Sequence, residues 1–223
     1  MPKAKDRVKD RNHFDVQMNS ITLGSPGPLA LSPTDLIGSG TRRDCYQYPG
    51  KDSLCIKIPR QNKHGLKQQA REEKFYRSLH KRGVSTAHIT RYHGSIETSL
   101  GCGYIYDVIR DPDGNYAKSF RDIIRQGICS ATDYVEVMDT LEDYLFDHQV
   151  LFYDLNPTNI LCRHNADGSL EPFIIDGLGE KVAIPMAHYS SYLLERTIKR
   201  RWLRMVETMR RNHPWMEGYR YHH

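Results

Sequence analysis

An α+β protein of two lobes is what the sequence predicts, and three observations carry that prediction. Short strand-period runs, with one helical stretch between them, fill the first half. Helical spacing dominates the second half. A single turn-rich linker, DPDGN at 111–115, separates the two characters. The expected layout is a flexible leader over 1–33, a strand-rich N-lobe with one helix over 34–110, a helical C-lobe over 111–212 and a tail over 213–223.

The leader carries charge and then SPGPLALSP, whose three prolines leave little periodic apolar pattern. Residues 37–48 hold a glycine turn in IGSGTRRDCY. Leu54, Ile56 and Ile58 alternate with Cys55 and Lys57, a strand period that sets Lys57 on the face opposite the isoleucines. From about Leu66 to Lys81 the chain lacks Gly and Pro, and Phe75, Tyr76 and Leu79 form an apolar helical stripe. Strands are expected over 90–97 and 103–109. Beyond the linker, Val135, Met138, Leu141 and Leu145 mark an amphipathic helix over 132–148, and a last helix is expected over about 189–212. Between them LFYDLNPTNILC and EPFIIDGLGE are short apolar runs that each deliver polar residues.

Composition narrows the function classes. The 223 residues are 39% hydrophobic and 26% charged, enough apolar material for a packed interior. No run approaches the roughly 18–20 apolar residues of a membrane-spanning helix, and the charged N-terminus lacks the apolar core of a signal peptide. Five scattered cysteines without a C-x-x-C pair argue against a disulfide framework or a cysteine zinc site. A cytoplasmic protein with reduced cysteines is expected. The net charge of +5 is concentrated at the ends: residues 1–12 carry +3 and residues 196–211 carry +6, leaving a mildly acidic body.

The chemistry-bearing segment is Asp154-Leu-Asn156-Pro-Thr-Asn159, followed 22 residues after Asp154 by Ile-Ile-Asp176-Gly. Phosphoryl transfer needs hard oxygen ligands for Mg²⁺ and a carboxylate beside the attacking hydroxyl. Two acids and one amide supply those groups. A tight polar turn that satisfies its own backbone has the same residue types. Upstream, Lys57 on its strand is followed 15 residues later by Glu72 on the helix, and Gly38 and Gly40 lie in the glycine turn. A strand lysine held by a helix carboxylate can grip ATP phosphates, although each residue alone is an ordinary surface group. The order of all five elements is what points to a nucleotide.

That order and spacing resemble the protein-kinase-like fold over about residues 35–180. More narrowly, ITRYHGSIET, GYIYDVI, LNPTNILC and GLGE…IPMA resemble the bacterial YrbL family, the PhoP regulatory network proteins, over about residues 31–206. The family name reports control by a magnesium-responsive regulator and implies no established substrate. The kinase resemblance implies Asp154 as catalytic base and Asn159 and Asp176 as Mg²⁺ ligands. It implies Lys57 at the α/β phosphates of ATP, Glu72 holding Lys57, and Gly38 and Gly40 in a glycine-rich loop.

The departures from the kinase pattern are substantial. Arg43 replaces the third glycine and would crowd or charge the nucleotide cover. Phe152 and Tyr153 stand before Asp154 in place of His-Arg, and Asn156 takes the place of a phosphate-contacting lysine. Gly177-Leu178-Gly179 follows Asp176, no A-P-E element is present, and 47 residues remain after Asp176. A peptide-binding lobe has little room, so the expected function is a phosphotransferase on a small-molecule hydroxyl acceptor, with nucleotide as partner. The alternative is a pseudokinase-like regulatory module without turnover, which leaves a protein partner open. A third reading is a basic scaffold using Arg196–Arg211. In that helix Ile198, Trp202, Met205, Val206 and Met209 share one stripe expected to pack inward, so contact with nucleic acid or membrane through it is not expected. The eleven histidines show no metal spacing, and His222-His223 belongs to a short aromatic tail.

Overall fold

The computed structural model describes residues 27–60, 63–179 and 191–223. The leader through residue 26 and the IPMA motif at 184–187 lie outside these described residues. The chain divides into two compact units, Met1–Gln69 with Arg91–Val108 and Ala70–Thr90 with Ile109–His223.

The first unit is built on a five-stranded antiparallel sheet. Its strands are β1 (Leu36–Ser39), β2 (Arg43–Tyr48), β3 (Lys51–Pro59), β4 (Tyr92–Thr98) and β5 (Gly101–Asp107), in the order β1-β2-β3-β5-β4. Ile56 and Ile105 face each other across β3 and β5 and are fully buried, with Tyr48 and Ile58 beside them. Each such isoleucine contributes about 1.5–3 kcal/mol. Gly103 makes room for this packing, since a Cβ there would lie 2.4 Å from Cγ2 of Ile56.

Strand periodicity predicts the alternation of faces along β3, but both of its faces are buried at Cys55, Ile56, Lys57 and Ile58. The end of the expected leader is also tied down. Leu29 N–H donates to Glu97 O, and Leu29 O accepts from Ser99 N–H, both at 2.9 Å. Leu29 and Leu31 pack on the core because they alternate at strand period between prolines 28 and 33.

The helix α1 (Lys63–Arg82) begins three residues earlier than its sequence stripe. The sequence assigns the whole helix to the strands, whereas the division between the units falls inside it. The reason lies in the bonds of its second half. Tyr76 donates its hydroxyl to Thr90 O at 2.6 Å, and Arg82 donates to His148 O and Gln149 O at 2.5 and 3.1 Å.

The second unit mixes helices with a small sheet. Its elements are β6 (Lys118–Ser119), α2 (Phe120–Gln126), α3 (Ala131–Asp147), β7 (Ile160–His164), β8 (Leu170–Ile174) and α4 (Ser191–Asn212). The strands pair antiparallel as β6-β7-β8, so the lobe expected to be helical has a sheet within it. A capping box of Ser130 and Asp133 starts α3. The stripe of α4 is buried as its spacing predicts, with Trp202 fully enclosed. The expected tail is packed as well: Met216 and Tyr219 are fully buried after a 3₁₀ turn at Pro214–Gly218. No described helix is long and apolar enough to cross a membrane. The five cysteines are free, with Cys55 and Cys162 buried.

Candidate functional site

Three of the seven expected site residues meet in the second unit, on the loop that follows α3. Val150, Leu151 and Phe152 are buried and fasten the start of that loop. The chain then turns outward, leaving Asp154 exposed, and Leu155 returns to the interior. Asn156 caps a 3₁₀ turn at Pro157–Asn159, its Oδ1 accepting Thr158 N–H at 3.0 Å. The Nδ2 of Asn156 donates to Oδ1 of Asp154 at 3.2 Å. Asn159 donates from Nδ2 to the Asp154 carbonyl at 2.9 Å, which braces the loop across its own turn.

Asp176 is brought to this loop by the backbone on both sides of it. Ile175 N–H donates to Asn159 O at 2.9 Å, and Gly177 O accepts from Tyr153 N–H and Asp154 N–H at 2.7 and 3.2 Å. Gly177 N–H in turn donates to Oδ1 of Asp176 at 2.6 Å. Only glycine fits here. At φ +81° a Cβ would lie 2.1 Å from the Asp154 carbonyl oxygen, well inside atomic contact. Further along, Gly179 N–H donates to Leu151 O at 2.7 Å, and Phe152 bridges Leu178.

Sequence reasoning missed the residues that hold this frame. Arg201 of α4 donates to the Phe152 carbonyl and, at 3.5 Å, to that of Gly179. The guanidinium of Arg71 lies 4.9 Å from the centre of the Tyr153 ring. Arg201 reads as one cation among seven in its helix segment, and no local signal separates it from the rest. A cavity of about 370 Å³ opens between the loop and α4, lined by Asp154, Asn156, Arg201, Arg204, Met205 and Thr208 among others. That is the scale of a small-molecule site. Asn159 Oδ1 carries no hydrogen bond among the described residues, so the loop presents carboxylate and amide oxygens of the kind a hard dication takes.

Gly38, Gly40 and Lys57 belong to the first unit, and Glu72 is buried in the second. Gly38 is exposed on β1 with open space around its Cα, while Gly40 N–H donates to Arg43 O at 2.9 Å and closes the hairpin. Arg43, expected to crowd a nucleotide cover, is buried at the start of β2. Lys57 is buried with its ammonium 4.4 Å from the centre of the Tyr106 ring, a cation–π contact. Its register partner on β2 is Cys45. A hydrogen bond with Cys55 holds the Cys45 thiol below its ordinary value, against burial and with help from the charges of Lys57 and Arg43. The same bond and burial push Cys55 up. The pairing of 45 with 57 is a sheet register, which the sequence alone does not reveal.

A family model described as PhoP regulatory network protein YrbL matches residues 29–210. The chain is 33% identical over 183 residues to the uncharacterized protein YrbL of Escherichia coli (strain K12), covering 80% of this chain and 86% of that protein. It matches the uncharacterized protein YrbL of Shigella flexneri with the same identity and coverage. The matched stretch opens at Leu29, where the chain joins the first sheet, and runs through every expected site residue. The chain therefore belongs to the YrbL family of PhoP regulatory network proteins.

Proposed function

We propose that this protein binds ATP with Mg²⁺ and transfers phosphate to a small-molecule hydroxyl acceptor. The observation that carries the reading is the tie between the Asp154 loop and Asp176-Gly177, which joins an exposed carboxylate at a cavity wall to a second carboxylate and an amide. The oxygen donors of Asn159 and Asp176 fit Mg²⁺, whose role when bound is to neutralise charge on the phosphates. Asp154 would orient the acceptor hydroxyl and take its proton. Lys57 would meet the phosphates, with Glu72 holding it and the hairpin of Gly38 and Gly40 covering them. The family descriptions report a regulatory network and name no reaction.

A regulatory, nucleotide-binding module without turnover is the second reading. The neutral amide of Asn156 favours it, because it occupies one oxygen of Asp154 at a place where a cation would help discharge the phosphate.

One experiment tests both. Purified full-length protein is titrated with ATP and Mg²⁺ while thermal stability and phosphate release are followed, with Asp176→Ala and Asp154→Asn as comparisons. Nucleotide at a hundredfold its Kd stabilises by about 2.7 kcal/mol. Transfer requires a wild-type shift, its loss in Asp176→Ala, and turnover lost in Asp154→Asn. A shift without turnover favours the regulatory module. No shift at saturating nucleotide overturns both.

A further inference from the structure

The cavity between the Asp154 loop and α4 carries a charge pattern that proton abstraction by Asp154 does not explain. Arg201, Arg204, Met205 and Thr208 recur three and four residues apart, so one face of α4 forms the wall across from the loop. Met205 is buried on that face, while Arg204 stays exposed. The lining therefore holds one carboxylate, from Asp154, and two guanidinium groups.

The two arginines are employed differently. Arg201 belongs to the frame, donating to the carbonyls of Phe152 and Gly179. The Arg204 guanidinium makes no hydrogen bond or ion pair among the described residues. Glu207, the acid three positions along the helix, is engaged by Arg211 instead. Asp154 is open in the same way: Oδ1 accepts from Asn156, and Oδ2 accepts nothing among the described residues. Two open groups of opposite sign thus face one space of about 370 Å³.

Such a pair orients whatever enters. An anionic group is drawn to Arg204, whose planar fork takes two carboxylate or phosphate oxygens at once. The same group is repelled by the Asp154 carboxylate, which turns the neutral hydroxyl end of the ligand toward Oδ2. Met205 and Pro157 offer apolar contact to the carbon skeleton between the two ends. A neutral polyol gains nothing from the charge of Arg204.

We propose that the acceptor is a small anionic hydroxy compound, its carboxylate or phosphate bound by Arg204 and its hydroxyl at Asp154. The hydroxyl end rests on the phosphotransfer reading, whereas the anion end does not. In the transfer the acceptor oxygen would bond the γ-phosphorus as the bond to the bridging oxygen breaks, with ADP leaving and Asp154 taking the proton.

The test titrates full-length protein by calorimetry, without nucleotide, using two matched sets of probes. One is glycerol, glycerate and glycerol 3-phosphate; the other is glucose, gluconate and glucose 6-phosphate. In at least one set the charged members should bind saturably and at least about tenfold more tightly than the neutral one. The tighter of the two charged members then tells carboxylate from phosphate. Arg204→Gln should weaken that binding about 10–150-fold, the worth of one hydrogen bond to a charged group, and Arg204→Lys should recover part of it. Arg200→Gln removes an exposed cation of the same helix outside this cavity and should bind as wild type does. The proposal falls if neither set favours its charged members, if Arg204→Gln binds unchanged, or if Arg200→Gln loses as much. Arg204→Gln should also keep the wild-type thermal shift with ATP and Mg²⁺; losing it would assign Arg204 to the nucleotide and overturn the proposal. Selective anion binding by a wild type that shows no ATP shift would overturn the phosphotransfer reading and leave the Arg204 anion site standing.

Discussion

Glu142 and Asp154 are both acids of the second unit, and the chain treats them in opposite ways. Glu142 is sealed in the interior with both oxygens used by neutral donors from α4 and the C-terminal segment. Asp154 is exposed at a cavity wall with one amide on one oxygen. A buried carboxylate without donors costs several kcal/mol, so evolution of the first site is a matter of satisfying the charge. In the second, the backbone around the acid is satisfied and the carboxylate itself is left available. Full satisfaction marks a structural acid, and a rigid frame around an open acid marks a candidate for chemistry.

Replacing Glu142 should break that comparison most severely. Glu142→Ala leaves the buried donors of Trp202 and Tyr219 and two part-buried backbone amides without a partner; at about 1–3 kcal/mol per buried donor, stability should fall by about 2–6 kcal/mol. Urea denaturation monitored by tryptophan fluorescence measures the loss. Protease sensitivity should appear first near residue 213, since Tyr219 loses its anchor along with the two terminal amides. Burial, and then the neighbouring carboxylate, push the Tyr219 phenol up, so it remains a donor at every working pH and no adjustment of pH restores the mutant.

Gly177→Ala should come next. The left-handed backbone costs a side-chain residue about 1–2 kcal/mol by itself, and the overlap with the Asp154 carbonyl forces the two loops apart. Stability should fall less than in Glu142→Ala, yet under the nucleotide-binding reading the thermal shift with ATP and Mg²⁺ should vanish. A variant that keeps both stability and shift would show that this close approach is not what holds the site.

The two regions also differ in how legible they are. Spacing alone brings Asp154, Asn159 and Asp176 to notice, because their chemistry is read along the chain. Their frame was hidden: Gly177 acts through a carbonyl 23 positions away in sequence, and Arg201 bonds carbonyls from another helix. Helical periods located α1, α3 and α4 to within a few residues, since amphipathic stripes are local. The small sheet β6-β7-β8 escaped because strands of two to five residues carry too little alternation. Glu142 left one readable trace. It stands four residues after Met138 and three before Leu145, on the buried stripe of α3, where an unpaired acid would not be tolerated. Its partners come from the last five residues of the chain and from α4, which no local pattern connects to it.

Asp154→Asn sharpens the comparison by its small structural effect. With the carboxylate exposed, stability should stay within about 0.5 kcal/mol of wild type by urea denaturation. Under the transferase reading, phosphate transfer should nonetheless drop by about 10²–10⁴-fold. A stability loss comparable to that of Glu142→Ala would assign Asp154 to the framework and remove it as a candidate base.

Asp107 in the first unit lies between these extremes and should give the smallest effect. It ends β5, half-buried, and accepts from Arg91 Nε at 2.8 Å and His93 Nε2 at 2.6 Å. Burial pushes its carboxyl up, but the bonds and charges of His93 and Arg91 outweigh that and leave it below its ordinary value. A depressed acid stabilises the fold above the ordinary carboxyl range and loses that contribution as pH falls through its lowered value. Wild type should therefore exceed Asp107→Asn at neutral pH, with the gap in urea midpoint closing as pH falls below the ordinary carboxyl range. Because Arg91 is a cation near solvent, the gap should be modest and should shrink in high salt. The cluster around Glu142, held by neutral donors, should show no such salt dependence. A gap at Asp107 that ignores salt would mean that its hydrogen bonds, and not its charge pairing, supply the stabilisation.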